Sequence, residues 1–579
     1  MKLEYSIDSA NSIIWAPRFS TQNYKSGSYS TYYYHNYLPD TVHYEEFNNP
    51  SNSNGYTYTS DLTFRHKFSK VGRTISLGTT FSGNLNDGAG TSYDKNLYNF
   101  QPNTTLDQRS SSNTNGTSFS ANLAYTEPLG KISMLQLGYN ATFSKNSTNK
   151  KVYDNNTDLL NDKYSNVYKS DYNTQRAGVT YMIKGGTNLT ANIGVDYQVA
   201  SLTADRTYPS QANVKGYFDN LLPNAFLTYK ISTRSNIRMF YRTQTSAPSV
   251  TQLQDVITKT GTNNFSQGNP DLLPQYSNNG MINYRYSNPV NFSNFTLGLM
   301  GNYTSNSISN AIFYPSKDTT ITSGTASDVI TSSGNLTKPM NFNHAWNTMI
   351  FANYGFLFMP IKCNFNFSGR LMYSTTPGSI NNILNSTNSY NMVGGLTIAS
   401  NISKNADFTL SYFGTYSITD QKYYGDITEI KSRIGNLSTN TWNHTISLSS
   451  TFTMWERLIL KNTISGNILT GYGSGYNQNY WIWNPSIGMK VFKNKLGQVS
   501  VSVFDVLKQN QSISHTVSAM NISDSRTNIL QRFMLFSFTY TIRSYGSAPN
   551  QDRHFDGHGG GFGPPPGGGG GMPMGPMPF

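Results

Sequence analysis

The sequence lacks long apolar runs, has a single cysteine and carries few charges. Of its 579 residues, 36% are hydrophobic and 13% are charged. No run of about 18 apolar residues occurs, which excludes a helical membrane span. The single thiol, Cys363, excludes an intramolecular disulfide and a thiolate metal cluster. The low hydrophobic fraction is unusual for a soluble globular domain, and the low charged fraction is unusual for a solvated disordered chain.

Asn, Ser, Thr and Gly fill the gap, together with 41 Tyr and 32 Phe. The last regular segment, from Gln531 to Arg543, alternates between an apolar set and a mostly polar set. One set is apolar (Met534, Phe536, Phe538, Tyr540 and Ile542), and the other contains Ser537, Thr539 and Thr541. This period of two predicts a strand with one apolar and one polar face. About ten such residues cross a hydrocarbon core of about 30 Å as a tilted strand.

Short turns recur between these segments and alternate with longer connections, the pattern typical of outer-membrane barrels with short periplasmic turns and long extracellular loops. The predicted turns lie near 70–73, 127–130, 184–187, 232–235, 287–290, 359–361, 404–407, 454–457 and 493–496. We expect a polar loop near 37–53, before the alternating segment from Tyr56 to Phe68. The fold class is therefore an all-β, transmembrane antiparallel barrel.

The segments predict about 20 full strands plus a short strand at residues 2–7. We expect the sheet to close, because each unpaired backbone group at an edge in lipid costs several kcal/mol. Twenty strands can close if the strand from Ser12 pairs with the last strand. The alternative is that upstream strands complete a larger ring. Aromatic residues near the expected membrane borders predict interfacial girdles: Tyr32 to Tyr34, Tyr56, Tyr58, Trp442, Trp455, Tyr480, Trp481 and Trp483. Cys363 should pack on the apolar face with Ile361, Phe365 and Phe367.

The net charge of +13 comes from scattered basic residues, which argues against nucleic-acid binding. The start of the chain lacks the apolar segment of a signal peptide. We therefore expect these residues to be the downstream part of a longer protein. The barrel should cover residues 1–543, without the first one or two strands and a plug. Residues 544–579 form a Gly/Pro/Met-rich tail with no means of burying a core. His554 and His558 in that tail fit solvated side chains better than metal ligands.

Three stretches, the first in two segments, resemble a known family. S-A-P-S-V-T-Q-L from Ser246 and G-N-P-D-L-L-P from Gly268 are similar to a loop and strand entry of TonB-dependent receptor barrels. V-S-V-S-V-F-D-V-L-K-Q-N from Val499 and N-I-L-Q-R-F-M-L-F-S-F-T-Y from Asn528 resemble the last two strands of the Bacteroidota-type outer-membrane β-barrel family. The resemblance implies a 22-stranded barrel, a plug and import of a large scarce solute coupled to TonB. The sequence shows neither a plug nor a TonB box.

These observations predict the barrel portion of a TonB-linked receptor or transporter in the cell outer membrane of a Gram-negative organism. The alternatives are an ungated pore, a structural barrel in an envelope complex, or a non-functional gene fragment. The expected partners are outer-membrane lipid, TonB through a plug outside this chain, and a surface lipoprotein, with no nucleic acid.

An enzyme is not expected, because the histidines stand apart from any nucleophile and orienting group. We predict no catalytic residue, no cofactor and no metal ligand. For solute binding, the candidates are the polar-face residues Arg65 and Arg238. The loops near 86–114, 245–275 and 315–338 are further candidates.

Overall fold

Most of the described residues of the computed structural model lie in strands. The described residues are 2–35, 42–97, 103–162, 164–208, 211–253, 255, 257–259, 264–323, 326–330, 334–400, 403, 405–428, 438–471, 477–493, 495–510, 512–517, 522–527 and 531–541. Within them, one helix, α1 (Val250–Leu253), and one 3₁₀ turn (Met359–Ile361) occur. Neither offers the length and apolarity that a membrane-crossing helix requires.

The strands follow one another closely along the chain. The first fourteen are β1 Leu3–Ser6, β2 Asn11–His35, β3 Val42–Lys67, β4 Thr74–Leu97, β5 Thr104–Pro128, β6 Ser133–Asp154, β7 Asn166–Gly185, β8 Leu189–Tyr208, β9 Ala212–Lys230, β10 Ser235–Ser246, β11 Ile257–Lys259, β12 Asn264–Gln267, β13 Gln275–Asn288 and β14 Ser293–Ser305. The others are β15 Ser307–Phe313, β16 Thr319–Ser323, β17 Ala326–Ile330, β18 Asn335–Phe342, β19 Ala345–Phe358, β20 Cys363–Ile380, β21 Ile383–Ser400, β22 Ala406–Tyr423, β23 Thr439–Met454, β24 Leu458–Thr470, β25 Gln478–Val491, β26 Gly497–Phe504, β27 Ser512–Val517, β28 Ile522–Thr527 and β29 Phe533–Tyr540.

Twenty-one of these strands form one antiparallel series, in which each strand pairs with the next. The series is β1 to β10, then β13, β14, β19 to β26 and β29. Strands β11, β12, β15 and β18 join the same sheet from the connections between series strands. The predicted number of strands and the all-β fold class are thus confirmed.

The predicted closure of the strand from Ser12 against the last strand is wrong for the described residues. Ser12 to Trp15 of β2 pair with Ser6 to Leu3 of β1, so the short first strand occupies that edge. Strand β29 pairs with β26 and with no other strand of the described part. Because neighbours alternate in direction along an odd-numbered series, β1 and β29 run the same way.

The described residues of each predicted short turn lie at or between the ends of consecutive strands of the series; residues 404 and 494 lie outside the described part. The turn near 70–73 connects β3 to β4, and Gly72 adopts a φ of +88° there. A side chain at this position would be strained, because left-handed backbone favours glycine. The prediction of short turns at one end of the strands is confirmed. One connection at the opposite end is also short: Asn381 and Asn382, both with positive φ, join β20 to β21.

Two predicted loops are wrong in part. Residues 42–53 continue β3 and pair with β2 and β4, and most of 86–114 forms the outer arms of β4 and β5. The apolar alternation stops in these arms although pairing continues. Polar contacts hold them instead, such as the 2.5 Å bond from Asn23 to Asn54 and the 2.5 Å bond from Ser53 to Asn86. Paired strands can continue without apolar alternation where both faces are polar.

The strand series has an apolar face and a polar face. In β29, Met534, Phe536 and Phe538 are 61–75% exposed on the apolar face. Their partners in β26 are Val503, Val501 and Val499, so apolar residues meet across strands. Large apolar side chains that remain this exposed in strand after strand need a non-aqueous surrounding.

The predicted aromatic positions follow this division with one exception. Tyr56, Tyr58, Trp442, Trp481 and Trp483 alternate onto the apolar face, and Trp455 is 81% exposed in a short turn. Tyr480 is wrong as a girdle residue, because it pairs with Asn467 on the polar face. The side chains of Tyr32 to Tyr34 lie outside the described residues, as do His554, His558 and the predicted tail. Cys363 is 2% exposed and packs at the start of β20.

Candidate functional site

The polar face is lined mainly by hydroxyl and amide side chains. Neighbouring strands join them in pairs, such as Ser118 with Ser144 at 2.9 Å and Ser277 with Thr304 at 3.0 Å. Such groups both donate and accept hydrogen bonds, so they can contact water and polar solutes without strong preference. This face therefore offers general polarity, and selectivity must come from the charged and apolar residues that interrupt it.

The two arginines predicted from the sequence both lie on the polar face and are exposed, but they are not close together. Arg65 of β3 pairs with Ser12 and Ser76. Arg238 of β10 pairs with Thr228 and Asn283. The structure thus places both side chains where a solute in the interior could reach them, and their role in binding stays a prediction.

Strand β2 carries another polar-face arginine, Arg18, which has a carboxylate partner. Its guanidinium lies 3.5 Å from the Asp61 carboxylate. The Thr80 hydroxyl donates to the same Asp61 at 2.8 Å. Asp61 pairs directly with Thr80 of β4, so three neighbouring strands share this contact. Arg18 therefore has a counter-charge within the wall itself.

Arg176 of β7 forms a closer pair with Asp196 of β8. Asn224 of β9 also donates to Asp196, at 3.2 Å. Gly178 is the direct cross-strand neighbour of Asp196, and a Cβ there would lie 1.6 Å from the carboxylate. The glycine is therefore required for space, because any side chain at 178 would displace the carboxylate from Arg176. This pair joins β7, β8 and β9 into one polar network.

The connection from β10 to β13 folds back onto the polar face. Leu253 of α1 and Leu272 are buried against Leu202 of β8, with Tyr172 and Phe218 packed around them. Asn269 donates to the carbonyl of Pro339, and Leu273 donates its N–H to Asn341 at 2.8 Å. The described residues of the predicted loop at 245–275 thus lie over the outer part of the interior and are fixed by a small apolar core.

A second small core lies beside this segment. Ile257, Phe265, Ile321 and Ile330 are buried together, and Leu336 packs against them. Parts of the predicted loops 245–275 and 315–338 therefore fold as one unit. Apolar residues at irregular spacing in these polar loops could have indicated a small core. The residues they pack against could not be predicted without knowing how the strands pair.

Arg242 and Arg285 also lie on the polar face, near Arg238, and the sequence analysis missed both. Arg242 follows Arg238 at a spacing of four, which keeps it on the same face. Arg285 pairs with Asn236, whereas Arg238 pairs with Asn283. Arg285 and Arg238 are therefore diagonal neighbours on the same face. The even spacing was a usable signal for Arg242. The signal for Arg285 required the register of β10 against β13.

The short-turn end carries a compact charge cluster. The Arg73 guanidinium donates to Glu127 at 2.7 and 2.8 Å, and the Lys70 ammonium and Tyr125 hydroxyl donate at 2.6 Å each. These donors, Arg73 first, hold the pKa of the Glu127 carboxyl well below its usual range. The cluster ties the β3–β4 turn to the β5–β6 turn. Its groups satisfy one another, so it serves the fold.

Metal binding has no evident centre in the described part of the chain, since no three His, Cys, Asp or Glu side chains are grouped for it. The described residues instead offer a polar interior with ion pairs between β2 and β3 and between β7 and β8, arginines without a carboxylate partner on β10 and β13, and parts of the β10–β13 connection above. This combination suits the binding or passage of a solute.

A large antiparallel series with one apolar and one polar face defines a membrane-spanning β-barrel. The model of the outer membrane protein beta-barrel family matches residues 66–433, and the chain belongs to that family. The protein is thus located in the outer membrane, with its apolar face toward lipid and its polar face lining the lumen. The short turns lie on the periplasmic side.

Several solved structures align with most of this chain at low sequence identity. The siderophore receptor PirA from Pseudomonas aeruginosa is 12% identical, with a TM-score of 0.40, covering 93% of this chain and 76% of that one. The ferric-catecholate import receptor Fiu from E. coli K12 is 10% identical, with a TM-score of 0.43 and coverages of 93% and 79%. FpvA from P. aeruginosa is 11% identical, with a TM-score of 0.45 and coverages of 92% and 67%. No curated protein matches the chain.

Proposed function

We propose that this chain is the barrel portion of a TonB-linked receptor that imports a large solute across the outer membrane. The lumen and the ordered outer segments would bind the solute. A plug supplied by residues outside this sequence would close the lumen and connect it to TonB. A surface lipoprotein is a further proposed partner at the outer end.

The size of the barrel carries this proposal. A series of 21 paired strands is close to the roughly 22 strands of plugged outer-membrane transporters and exceeds the 16–18 of open porins. A barrel this wide without an occupant would leak small solutes continuously. A plug that gates the lumen would prevent this leak and still leave room for a large solute when it opens.

Conductance of purified protein in planar bilayers tests the proposal. We expect the chain of residues 1–579 to form large, steady openings, and the product extended upstream in its gene to be almost silent. Heat-modifiable migration in gels would confirm that both preparations are folded. An extended product that conducts as strongly as the shorter chain would indicate an ungated pore, and the proposal would be wrong.

A cellular measurement adds the energy requirement. If the extended product imports its solute through TonB, uptake should be lost in a host without TonB while surface binding remains. Uptake that continues at the same rate without TonB would contradict energy coupling even if the plug is present.

A further inference from the structure

A row of apolar side chains crosses the mainly polar lumen wall on six neighbouring strands, from Phe226 of β9, which pairs with Phe240, to Met372 of β20. Direct cross-strand pairing places side by side Phe240 of β10, Met281 of β13, Met300 of β14, Met349 of β19 and Met372 of β20. The residues next to the four methionines, such as Ile282 and Leu299, turn to the lipid side. The row therefore belongs wholly to the lumen.

The position of these methionines is unusual for packing residues. All four are only half-buried, since no second layer of the described chain covers them. The row on their outer side is Asn279, Asn302, Asn347 and Ser374, which is typical of the rest of the wall. Methionine is unbranched and polarizable, so it adapts to apolar and aromatic ligands. A row of four presents a continuous apolar strip to the lumen.

The ring of Phe351 widens this strip on the periplasmic side. Phe351 of β19 pairs with Gly298 of β14, and a Cβ on Gly298 would lie 2.2 Å from the ring. The glycine therefore allows the Phe351 ring to lie over the backbone of β14. The apolar surface then extends over two adjacent rows, wide enough to contact a flat ring system face to face.

Three arginines lie beside the part of the strip formed by β10 and β13. Arg238 and Arg242 lie on either side of Phe240 along β10, and Arg285 lies diagonally across from Arg238. Such diagonal neighbours are about 7–8 Å apart, within reach of long side chains. All three are exposed, and no carboxylate pairs with them in the described part of the chain. The described polar-face residues of β9, β10, β13, β14, β19 and β20 include no Asp or Glu.

We propose that this surface, Phe240, Met281, Met300, Met349, Met372 and Phe351 with Arg238, Arg242 and Arg285, binds an organic anion with a flat apolar or aromatic body. Guanidinium groups bind carboxylates and sulfonates through paired hydrogen bonds and also stack on rings. The thioethers and phenyl rings contact the body of the ligand. Neutral glycans and simple inorganic anions use only part of this surface.

The proposal deepens the proposed function, since it names the class of solute that the lumen takes. It is tested by equilibrium binding, which requires neither TonB nor a plug. Loss of gating in the conductance experiment would therefore leave this test unaffected. Loss of binding here would leave gating unaffected.

The probe is pyranine, a hydroxypyrene with three sulfonates that does not enter bilayers. Its fluorescence anisotropy is measured with the full chain in lipid nanodiscs. Citrate supplies a trianion without an aromatic body, and proflavine supplies a flat aromatic cation. We expect saturable pyranine binding, weak competition by citrate and none by proflavine.

Two double variants separate the charged and apolar parts of the surface. R238Q/R242Q and M300S/M349S should each weaken pyranine binding about tenfold, the scale of one or two charge-assisted hydrogen bonds or buried apolar groups. K461Q/K490Q removes two lumen charges from β24 and β25, and M392S/M489S changes two methionines on the lipid face. Both controls should bind within about twofold of the unchanged chain.

Several results would overturn the proposal. If citrate displaced pyranine completely at a comparable concentration, the surface would be no more than a general cationic wall. The surface would also be only a general cationic wall if K461Q/K490Q weakened binding as much as R238Q/R242Q does. Absence of pyranine binding by folded, unchanged chain would refute the site outright. If the extended product binds no pyranine while the shorter chain does, the surface contacts a plug segment and not a solute.

Discussion

The lumen wall differs between the strands from β2 to β8 and those from β10 to β20. In the first part, Arg18 and Arg176 each have a carboxylate on the adjacent strand, and Gly178 leaves the space that Asp196 needs. In the second part, Arg238 and Arg242 lie beside amides, thioethers and phenyl rings. A charge with a partner in the same wall stabilises the fold. A charge without one is available to a ligand.

The two parts also differ in strand length. Strands β2 to β6 have 22–26 residues, whereas β10, β13, β14 and β19 have 12–14. About ten residues are enough to cross the hydrocarbon core. The first part therefore extends well beyond the membrane as paired polar strands. The second part ends nearer to the membrane and continues into the ordered segments that fold over the lumen.

The largest expected effect tests the two-faced assignment on which the comparison depends. F538R or M534R places a charge on the lipid face of β29 and should destabilise the folded protein by about 2–4 kcal/mol if the residue is near the midplane. T539R, on the lumen face of the same strand, should be mild. Urea titrations of protein folded into vesicles measure both, and equal losses would contradict the assignment of faces.

Removing a carboxylate from the first part should cost more than removing an arginine from the second. D196N leaves Arg176 without its counter-charge and should destabilise the protein by about 1–3 kcal/mol. R238Q breaks no ion pair in the described chain, so we expect a change within about 0.5 kcal/mol. The same unfolding titration compares the two, and a larger loss for R238Q would reverse the distinction between the parts.

Gly298 provides a smaller test within the second part. G298A places a Cβ against the Phe351 ring and should cost about 1–2 kcal/mol, in the range of overpacked sites. G301A is a matched control on the same strand, because a Cβ there meets nothing within 4 Å. Its effect should stay within about 0.5 kcal/mol. G298A should also weaken pyranine binding, which distinguishes displacement of the ring from a general loss of stability.

The smallest effect concerns the periplasmic charge cluster that ties the β3–β4 and β5–β6 turns of the first part. Its donors lower the pKa of Glu127 in the folded state, so its stabilising effect is present above the unfolded pKa of about 4.3. That effect is lost as the pH falls toward the folded pKa. E127Q should therefore slightly lower the urea midpoint at pH 7, and the difference should shrink below about pH 4.3. A difference that grows in acid would contradict this linkage.

The sequence alone predicts the membrane-crossing segments well, because apolar alternation is obligatory where one face meets lipid. The prediction of strands fails outside the membrane, where neither face has to be apolar. Residues 42–53 and 86–114 lack the alternation yet remain paired strands, held by contacts such as Asn23 with Asn54. The expected closure is also wrong: the sequence predicts the short strand at residues 2–7, but its alternation does not show that this strand occupies the edge of β2 in place of the last strand.

The candidate site is predictable only in part for a related reason. Arg65 and Arg238 can be assigned to the polar face from alternation within one strand. The methionine row cannot, since Met281, Met300, Met349 and Met372 are far apart in the chain and meet only through the register of four hairpin arms. Register depends on turn geometry and pairing across strands, which single-strand periodicity does not contain.

The burial of Cys363, the single thiol of the chain, gives the protein a built-in reporter of its own opening. A maleimide dye should react slowly while β20 stays packed and rapidly once the β19–β20 hairpin separates. Because no other sulfhydryl competes, the labelling rate measures local opening of that hairpin without any engineered cysteine.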